Sequence, residues 1–400
     1  MGDSINAGYL KKVVTYLASD KLKGRVNYSP QQIEAAHFIH DQFAESGLEN
    51  LKGCEDFYMP FQVVNQLPDS SHLVWNGKKV AVDDYYLFSG GNHKKTRRLK
   101  DFNVLQANLP LPDSLLYYHW EDDKPILLWV DLPRDSSFIS LTTHLLLPDV
   151  QPSHEILIVG TDDPPLELEL SGSGIGLEPL LYNIVGVIPG KSLPDEQIVF
   201  SAHYDHVAID AKGQSNGIMN GANDDASGTA AVLALAKYYA MRNDNARTIV
   251  FCLFAGEELG LYGSAAFVEK TDVKKIKADI NIEMIGHTNV TGKNSFFLTG
   301  ANYSDFQEIF IKNMENDRVH LMRNVPDVSN LFQRSDNYNF YGKGIPAHSI
   351  MCSDDNDPCY HMACDDPNTI DYENMANVVK AIAKASMSII QGKDTPRIKK

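Results

Sequence analysis

Two amphipathic segments open the chain. Residues 5–18 place apolar side chains at helical spacing, which predicts a helix with one apolar face. Ser29 and Pro30 are typical of a helix N-cap and first turn, and Gly47 is typical of the residue that follows a helix. The pattern therefore predicts two helices before residue 50.

From residue 181 onward, strand-like and helix-like segments alternate. The strand-like runs are short and apolar, and amphipathic segments separate them. This alternation predicts an α/β fold, with a mostly parallel central sheet flanked by helices in a three-layer αβα arrangement. The predicted strands are 183–188, 198–202, 248–254, 279–283 and 346–351, and the predicted helices are 227–239, 258–268, 303–314 and 372–390.

The stretch 58–179 has a different character. It is rich in proline, aspartate and glycine, with short strand-like runs at 124–130 and 155–159 and no long helical pattern. Four hundred residues also exceed the usual size of a single core. We interpret 58–179 as an inserted β-rich domain, and 1–57 with 180–400 as one α/β domain.

Most strands of the predicted sheet end beside a residue that can bind a metal ion. The carboxyl ends of parallel strands meet at one edge of an open α/β sheet, where active sites form. We therefore expect these side chains to converge. The candidates are His203 and Asp205 after strand 198–202, Asp224 before helix 227–239, Glu257 and Glu258 after strand 248–254, Glu283 at the end of strand 279–283, and Tyr360 and His361 after strand 346–351.

Imidazoles and carboxylates without a set of thiolates suit zinc in a catalytic site. The candidates exceed the needs of one ion, which favours two ions roughly 3.5–4 Å apart with a bridging carboxylate. Asp224 has a short side chain in a loop that opens a helix, and suits the bridge. Of Glu257 and Glu258, one can bind metal while the other serves as general base. Asp205 can orient the ring of His203.

Structural interpretations remain open for these residues taken singly. Glu257 and Glu258 could complement the positive end of a helix. His203 and His361 could be capping or core histidines. Asp205 could be a turn former.

Five motifs in order carry a resemblance to a known family. Their sequence and spacing resemble the zinc aminopeptidases of the family that includes bacterial leucyl aminopeptidases and glutamate carboxypeptidase. The motifs are His203-Tyr-Asp205-His, Asn223-Asp224-Asp225-Ala-Ser-Gly, Gly256-Glu257-Glu258-Leu-Gly, Asn281-Ile-Glu283-Met and Tyr360-His361.

The resemblance implies a role for each residue. His203 and Glu283 would bind one zinc ion, Glu258 and His361 the other, and Asp224 would bridge them. Glu257 would be the base, and the peptide between Asp224 and Asp225 would be cis. Tyr360 would donate a hydrogen bond to the developing oxyanion, with packing beside His361 as the alternative. The inserted domain resembles, in position and β-rich character, the protease-associated domain of many relatives.

Two departures from the family pattern are visible. Glu283 stands where many members have aspartate, which alters the reach of the carboxylate. Residues 361–365 depart from the common His-Thr-Pro continuation, which puts the shape of that loop in question.

The composition of the chain limits the classes of binding partner and the compartments that we expect. With 36 basic and 52 acidic residues, the net charge of −16 speaks against nucleic acid and anionic membranes as partners. No run approaches the roughly twenty apolar residues of a membrane span. Cys352, Cys359 and Cys364 cluster near a candidate ligand, and one disulfide there would imply an oxidising compartment. No signal peptide is visible, yet relatives with such an insert are generally exported, so we expect an exported protein.

The sequence therefore predicts a dinuclear zinc aminopeptidase that acts on peptides. A high density of carboxylates can anchor the substrate ammonium group, whereas a carboxypeptidase would need a basic cluster that the sequence does not show. The alternatives are a glutaminyl cyclase with one zinc ion and, outside enzymes, a receptor-like module. The latter would be expected to lose ligands, and here each ligand position is filled.

Overall fold

The protein is seen in a computed structural model that describes residues 4–54, 56–65, 72–80, 85–88, 96–107, 126–130, 156–161, 163–171, 176–177, 180–207, 217–315, 317–323, 325 and 329–399. The chain divides into two compact units. The main unit comprises Met1–Phe61 and Leu181–Lys400, and the inserted unit comprises Gln62–Leu180. The sequence analysis places the insert at 58–179. The two divisions differ at residues 58–61 because that segment forms a strand of the main sheet.

The predicted elements of the main unit occur in the predicted order, but the structure adds two strands and a helix between residues 295 and 342 that the chain pattern did not predict. The helices are α1 (Ala7–Leu17), α2 (Pro30–Ser46), α3 (Gly228–Arg242), α4 (Tyr262–Lys270), α5 (Phe306–Asn313), α6 (Asn337–Gly342), α7 (Tyr372–Ala385) and α8 (Met387–Ile390). The strands are β1 (Glu49–Asn50), β2 (Tyr58–Phe61), β3 (Val64–Asn65), β4 (His72–Trp75), β5 (Lys78–Lys79), β6 (Tyr85–Phe88), β7 (Arg97–Arg98), β8 (Asn103–Ala107), β9 (Ile126–Val130), β10 (Ile156–Gly160), β11 (Leu168–Ser171), β12 (Gly176–Leu177), β13 (Leu181–Ile188), β14 (Leu193–His203), β15 (Arg247–Phe254), β16 (Ile276–Ile282), β17 (Ser295–Leu298), β18 (His320–Leu321) and β19 (Ala347–Met351).

The main unit is built on one mixed sheet. Its strands lie in the order β1-β13-β15-β14-β16-β19-β17-β18, with β2 also paired to β13. The central strands β15, β14, β16 and β19 are parallel to their neighbours among themselves, whereas β13 and β17 join this core in antiparallel fashion. This architecture confirms the predicted α/β class with a mostly parallel central sheet.

Burial explains why the central strands read as apolar runs. Every residue of β15 is buried, as expected for a parallel strand covered on both faces. Helix α3 is also buried along most of its length. The carboxyl-terminal end of β15 and the amino-terminal end of α3 fix the backbone positions from which several candidate ligands extend.

The inserted unit is made of small sheets. One has the order β6-β10-β9-β8, a second has the order β5-β4-β11-β7, and β12 pairs with β3. Alternate residues of these strands form a separate apolar core. That core contains Leu73, Trp75, Tyr85, Phe102, Leu127, Trp129, Leu157, Val159, Leu168 and Leu170. Strands β9 and β10 confirm the two strand-like runs predicted for this region.

Several predicted helix boundaries differ from the structure, and two of the predicted helices differ most. The helix predicted from residue 258 begins at Tyr262, because Gly256, Gly260 and Leu261 all adopt positive φ and the backbone NH groups of 260 and 261 turn back to Glu257. The last predicted helix, 372–390, divides at Ser386 into α7 and α8. Across the described part of the chain, no helix combines the length and apolarity that crossing a bilayer requires.

Candidate metal centre

The candidate ligands gather at the carboxyl-terminal edge of the main sheet. His203 is the last residue of β14 and pairs in register with Phe254, the last residue of β15. Glu283 directly follows β16, and its backbone NH bonds to the carbonyl of Ile350 in β19. The shared register of these parallel strands brings residues far apart in sequence to one end of the sheet, as predicted.

Asp224 lies in the loop that precedes α3, and a second carboxylate holds that loop. The carboxylate of Asp365 accepts hydrogen bonds from the backbone NH groups of Asn223 (2.7 Å) and Asp224 (3.1 Å). The carboxylate of Asp225 accepts from the NH groups of Gly228 and Met284 at 2.9 and 3.1 Å. The peptide bond between Asp224 and Asp225 is cis, as the family resemblance implies.

One set of ligands, which we call the inner group, consists of His203, Asp224 and Glu283. Nε2 of His203 lies 3.2 Å from Oδ1 of Asp224. All three side chains are buried, with at most 8% exposure at Glu283. The group therefore offers one imidazole and two carboxylates that are largely buried.

The second set, the outer group, consists of His206, Asp224, Glu258 and His361. Nε2 of His361 lies 3.0 Å from Oδ2 of Asp224 and 3.3 Å from Oε1 of Glu258. Nδ1 of His206 lies 3.0 Å from the same Glu258 oxygen. His361 is the most open member, with 32% of its side chain exposed. Asp224 thus belongs to both groups, with one oxygen facing each.

Asp205 holds neighbouring backbone rather than the ring of His203. Its carboxylate accepts hydrogen bonds from Nδ2 of Asn27 (2.6 Å) and from the NH groups of Glu257 and Glu258 (3.3 Å each). Nδ1 of His203 lies 3.2 Å from the carbonyl oxygen of Asp205 but 3.7 Å from its carboxylate. Asp205 therefore fixes the position of the paired glutamates and orients the His203 ring through its backbone.

The polar atoms inside both groups fit a cation. Nε2 of His203, Nε2 of His361 and Oε2 of Glu283 are buried and accept or donate no hydrogen bond among the described residues. Burial raises the pKa of Glu283 to about 7. Burial also raises the pKa of Glu257 well above its ordinary value, and the nearby carboxylates of Glu258 and Glu283 add to this shift. Divalent ions would satisfy these atoms and offset the crowded negative charge.

A cavity of about 390 Å³ opens onto these residues. The carboxylate residues Asp224, Glu257, Glu258 and Glu283 line it together with Tyr360. Glu257 belongs to neither ligand group. The ring of Tyr360 stacks on His361 at 3.9 Å between centroids, and its hydroxyl lies 3.4 Å from the Arg334 guanidinium. The structure therefore brings the sequence-predicted residues to one site. Asp205 does not line the cavity but contacts the backbone of Glu257 and Glu258.

Sequence reasoning missed two residues of this site. His206 was part of the first motif but was not counted as a ligand, although it is an imidazole three residues after His203. Asp365 lies four residues after His361 in a loop without periodic pattern, so no sequence signal pointed to its contact with Asn223 and Asp224.

The fold and the site define an α/β protein with a centre of histidines and carboxylates at the sheet edge. The chain belongs to peptidase family M28, whose family model matches residues 183–386, about half of the chain. This match confirms the resemblance found from the motifs.

Similar proteins agree with this assignment. The chain is 39% identical over 121 residues to a probable zinc metalloprotease of Pyricularia oryzae, covering 29% of this chain and 22% of that protein. It is 28% identical over 208 residues to a probable leucine aminopeptidase of Arthroderma otae, covering 50% and 54%. The chain thus spans about half, or less, of the length of these relatives. The crystal structure of a zinc aminopeptidase from Bacillus subtilis superposes with a TM-score of 0.58 at 18% identity, covering 98% and 97% of the two chains, and shows the same fold.

Proposed function

We propose that this protein is an aminopeptidase that removes the amino-terminal residue of peptides with two zinc ions, one held by each ligand group. The observation that carries the proposal is the position of Asp224. Its Oδ1 faces His203 at 3.2 Å and its Oδ2 faces His361 at 3.0 Å. A carboxylate shared in this way can bridge the two ions of a two-metal hydrolytic site.

The ligand chemistry supports zinc. Imidazole nitrogens and carboxylate oxygens suit this ion, and the described site offers no thiolate. Zinc ions held by the two ligand groups would supply Lewis acidity, which polarises a carbonyl and lowers the pKa of an attacking water.

Glu257 is the proposed general base. Its carboxylate lines the cavity beside both ligand groups. Its backbone NH donates a hydrogen bond to Asp205, which fixes the position of its Cα. Because it is not needed as a ligand, it is free to take a proton from the attacking water and deliver it to the leaving amine. Tyr360, at the cavity wall, is placed to donate its hydroxyl proton toward the substrate oxygen.

The charges that line the cavity favour an amino terminus over a carboxyl terminus. Arg334 is the basic residue of the described lining, and it is paired with Asp355 at 2.6 Å. The remaining charges are carboxylates, which attract the substrate ammonium group. Leu261, Met284 and Met351 also line the cavity and provide an apolar surface for the side chain of the first residue.

A panel of aminoacyl anilides tests the proposal, with each substrate also prepared with a blocked amino group. We expect hydrolysis of unblocked substrates, faster for apolar residues, that stops with a chelator and returns with zinc. Hydrolysis of blocked substrates at equal rates would contradict the aminopeptidase assignment. A protein that holds one zinc ion and cyclises amino-terminal glutamine would instead be a glutaminyl cyclase.

We also propose that the protein works in an oxidising compartment. The support is the disulfide between Cys359 and Cys364, in the loop that carries His361. Mass spectrometry of peptides from the natively produced protein, without reduction, should recover this pair linked. Recovery of both thiols free would contradict the proposal.

A further inference from the structure

We infer that His206 is a fourth protein ligand of the outer zinc ion, through its Nδ1 atom. The inference rests on the proposed function, since it assigns a residue to one of the two proposed ions. The family resemblance gives this ion Asp224, Glu258 and His361, so His206 is an addition that comes from the geometry of this chain.

The outer ligand atoms lie at separations that suit a tetrahedral zinc ion. Nδ1 of His206 is 3.0 Å from Oε1 of Glu258 and 3.8 Å from Oδ2 of Asp224. Nε2 of His361 is 3.3 and 3.0 Å from the same two oxygens. Zinc holds nitrogen and oxygen ligands at about 2.0–2.1 Å, so adjacent ligands of a tetrahedral ion lie about 3.3 Å apart. Nδ1 of His206 therefore stands in the position of a fourth ligand.

The ring of His206 is held in place from the other side. It is 1% exposed and packs against the backbone of Gly221, where a Cβ would come within 2.6 Å of the ring. Gly221 has a φ of 60°, a conformation that glycine adopts freely. Its carbonyl accepts a hydrogen bond from the buried Arg25 guanidinium. The imidazole is thus preorganised, as an effective metal ligand must be.

The same 3.0 Å contact also suits a hydrogen bond from Nδ1–H of His206 to Glu258. The two accounts require opposite states of one nitrogen, because a ligand nitrogen carries no proton and a donor must carry one. An asparagine side chain can place an NH donor near the Nδ1 position, but its amide nitrogen does not bind zinc and its neutral amide oxygen is a much weaker zinc ligand than an imidazole. Asparagine at position 206 therefore separates the two roles.

The inference makes the two ions unequal. The outer ion would have four protein ligands, two of them imidazoles, and the attacking water would be its fifth ligand, a coordination number that zinc can adopt. The inner group supplies His203, Asp224 and Glu283, and three protein ligands are typical of sites that keep a position open. We therefore expect the outer ion to be held more tightly and the inner ion to exchange first.

The test measures metal rather than activity. Zinc content after dialysis and zinc release to a chromophoric chelator are compared for the unmodified protein, His206→Ala, His206→Asn and Glu283→Gln. His320→Asn, at an exposed position in β18, serves as the matched histidine control. Circular dichroism of each variant checks that it is folded.

The expected result is two ions in the unmodified protein and in His320→Asn, released in two phases. His206→Ala and His206→Asn should both lose affinity for the slowly released ion by more than about 100-fold, beyond the 10–100-fold that loss of an indirect partner costs. Glu283→Gln should affect the fast phase.

Other outcomes overturn the inference in distinct ways. Retention of the slow ion by His206→Asn together with a smaller loss in His206→Ala would show that His206 only donates to Glu258. Unchanged zinc release in both His206 variants would show that His206 neither binds the outer ion nor donates to Glu258. If the unmodified protein bound no zinc, the proposed function itself would fail. If it bound a single ion that both His206 variants lose, the ligand role would stand and the two-ion centre would not.

Discussion

The inner and outer groups share Asp224 but are positioned by different parts of the fold. His203 and Glu283 extend from the ends of β14 and β16, which are hydrogen-bonded neighbours in the sheet. Glu258 lies in the turn after β15, and His361 lies in the long loop after β19 with a positive φ of 55°. The inner group is also buried, whereas His361 is 32% exposed.

This contrast shows two ways of fixing a ligand. Residues at strand ends are held in position by the backbone hydrogen bonds of a buried sheet. Side chains on loops need local restraints, which here are the Asp205 contacts to the backbone of 257 and 258 and the disulfide of Cys359 with Cys364. We therefore expect changes near the outer group to have graded effects, and changes to the shared residue to affect both groups at once.

Replacing the shared ligand should have the largest effect. Asp224→Ala removes the oxygens that face both groups, so we expect loss of zinc from both and a fall in kcat/KM that exceeds the about 100-fold cost of losing an indirect partner. Zinc content and anilide hydrolysis measure the two consequences together. A variant that retained both ions would show that Asp224 does not bridge the groups.

Replacing the proposed base should reduce turnover without loss of metal. Glu257→Gln keeps the shape of the side chain but cannot accept a proton, and we expect kcat to fall about 10²–10⁴-fold with zinc content unchanged. Glu269→Gln, at a surface position paired with Lys343, is the matched control and should be neutral. Loss of zinc from Glu257→Gln would assign this glutamate to a ligand group.

Removing the support beneath Asp224 should have an intermediate effect on both groups. Asp365→Ala leaves the backbone NH groups of Asn223 and Asp224 without their carboxylate partner. We expect zinc affinity of both ions to fall about 10–100-fold, as measured by chelator competition. Asp366→Ala, which removes the cap of the adjacent turn Pro367–Thr369, should leave both affinities near their original values. A decrease confined to one ion would show that Asp365 supports one group alone.

The inner group was more predictable from sequence than the outer one. His203 and Glu283 stand at the ends of runs whose apolar, β-branched pattern predicts strands, and parallel register then brings strand ends together. The turn after β15 was predicted as helix, because the pattern of apolar residues does not reveal the positive φ angles of Gly260 and Leu261.

Two contacts that support the site depend on tertiary structure, one at the outer group and one at the shared residue Asp224. His206 packs against Gly221, and Asp365 reaches Asn223 across more than 140 positions of sequence. No local pattern carries such information. The inserted unit was predicted only as β-rich, and its strand order follows from pairings such as that of β4 with β11, which are also distant in sequence.

Breaking the disulfide should produce the smallest effect, confined to the outer group. Replacing Cys359 and Cys364 with serine keeps the size of both side chains but frees the loop that presents His361, so the imidazole loses part of its preorganisation. We expect the slowly released ion to leave several-fold faster, while the inner ion and its release rate stay unchanged. Cys54→Ser, at a free and partly buried cysteine outside this loop, is the control for the substitution itself. An equal loss of affinity for both ions would mean that the disulfide supports the whole centre. Ligands on the sheet and ligands on loops would then not differ in how strongly the disulfide affects their zinc affinity.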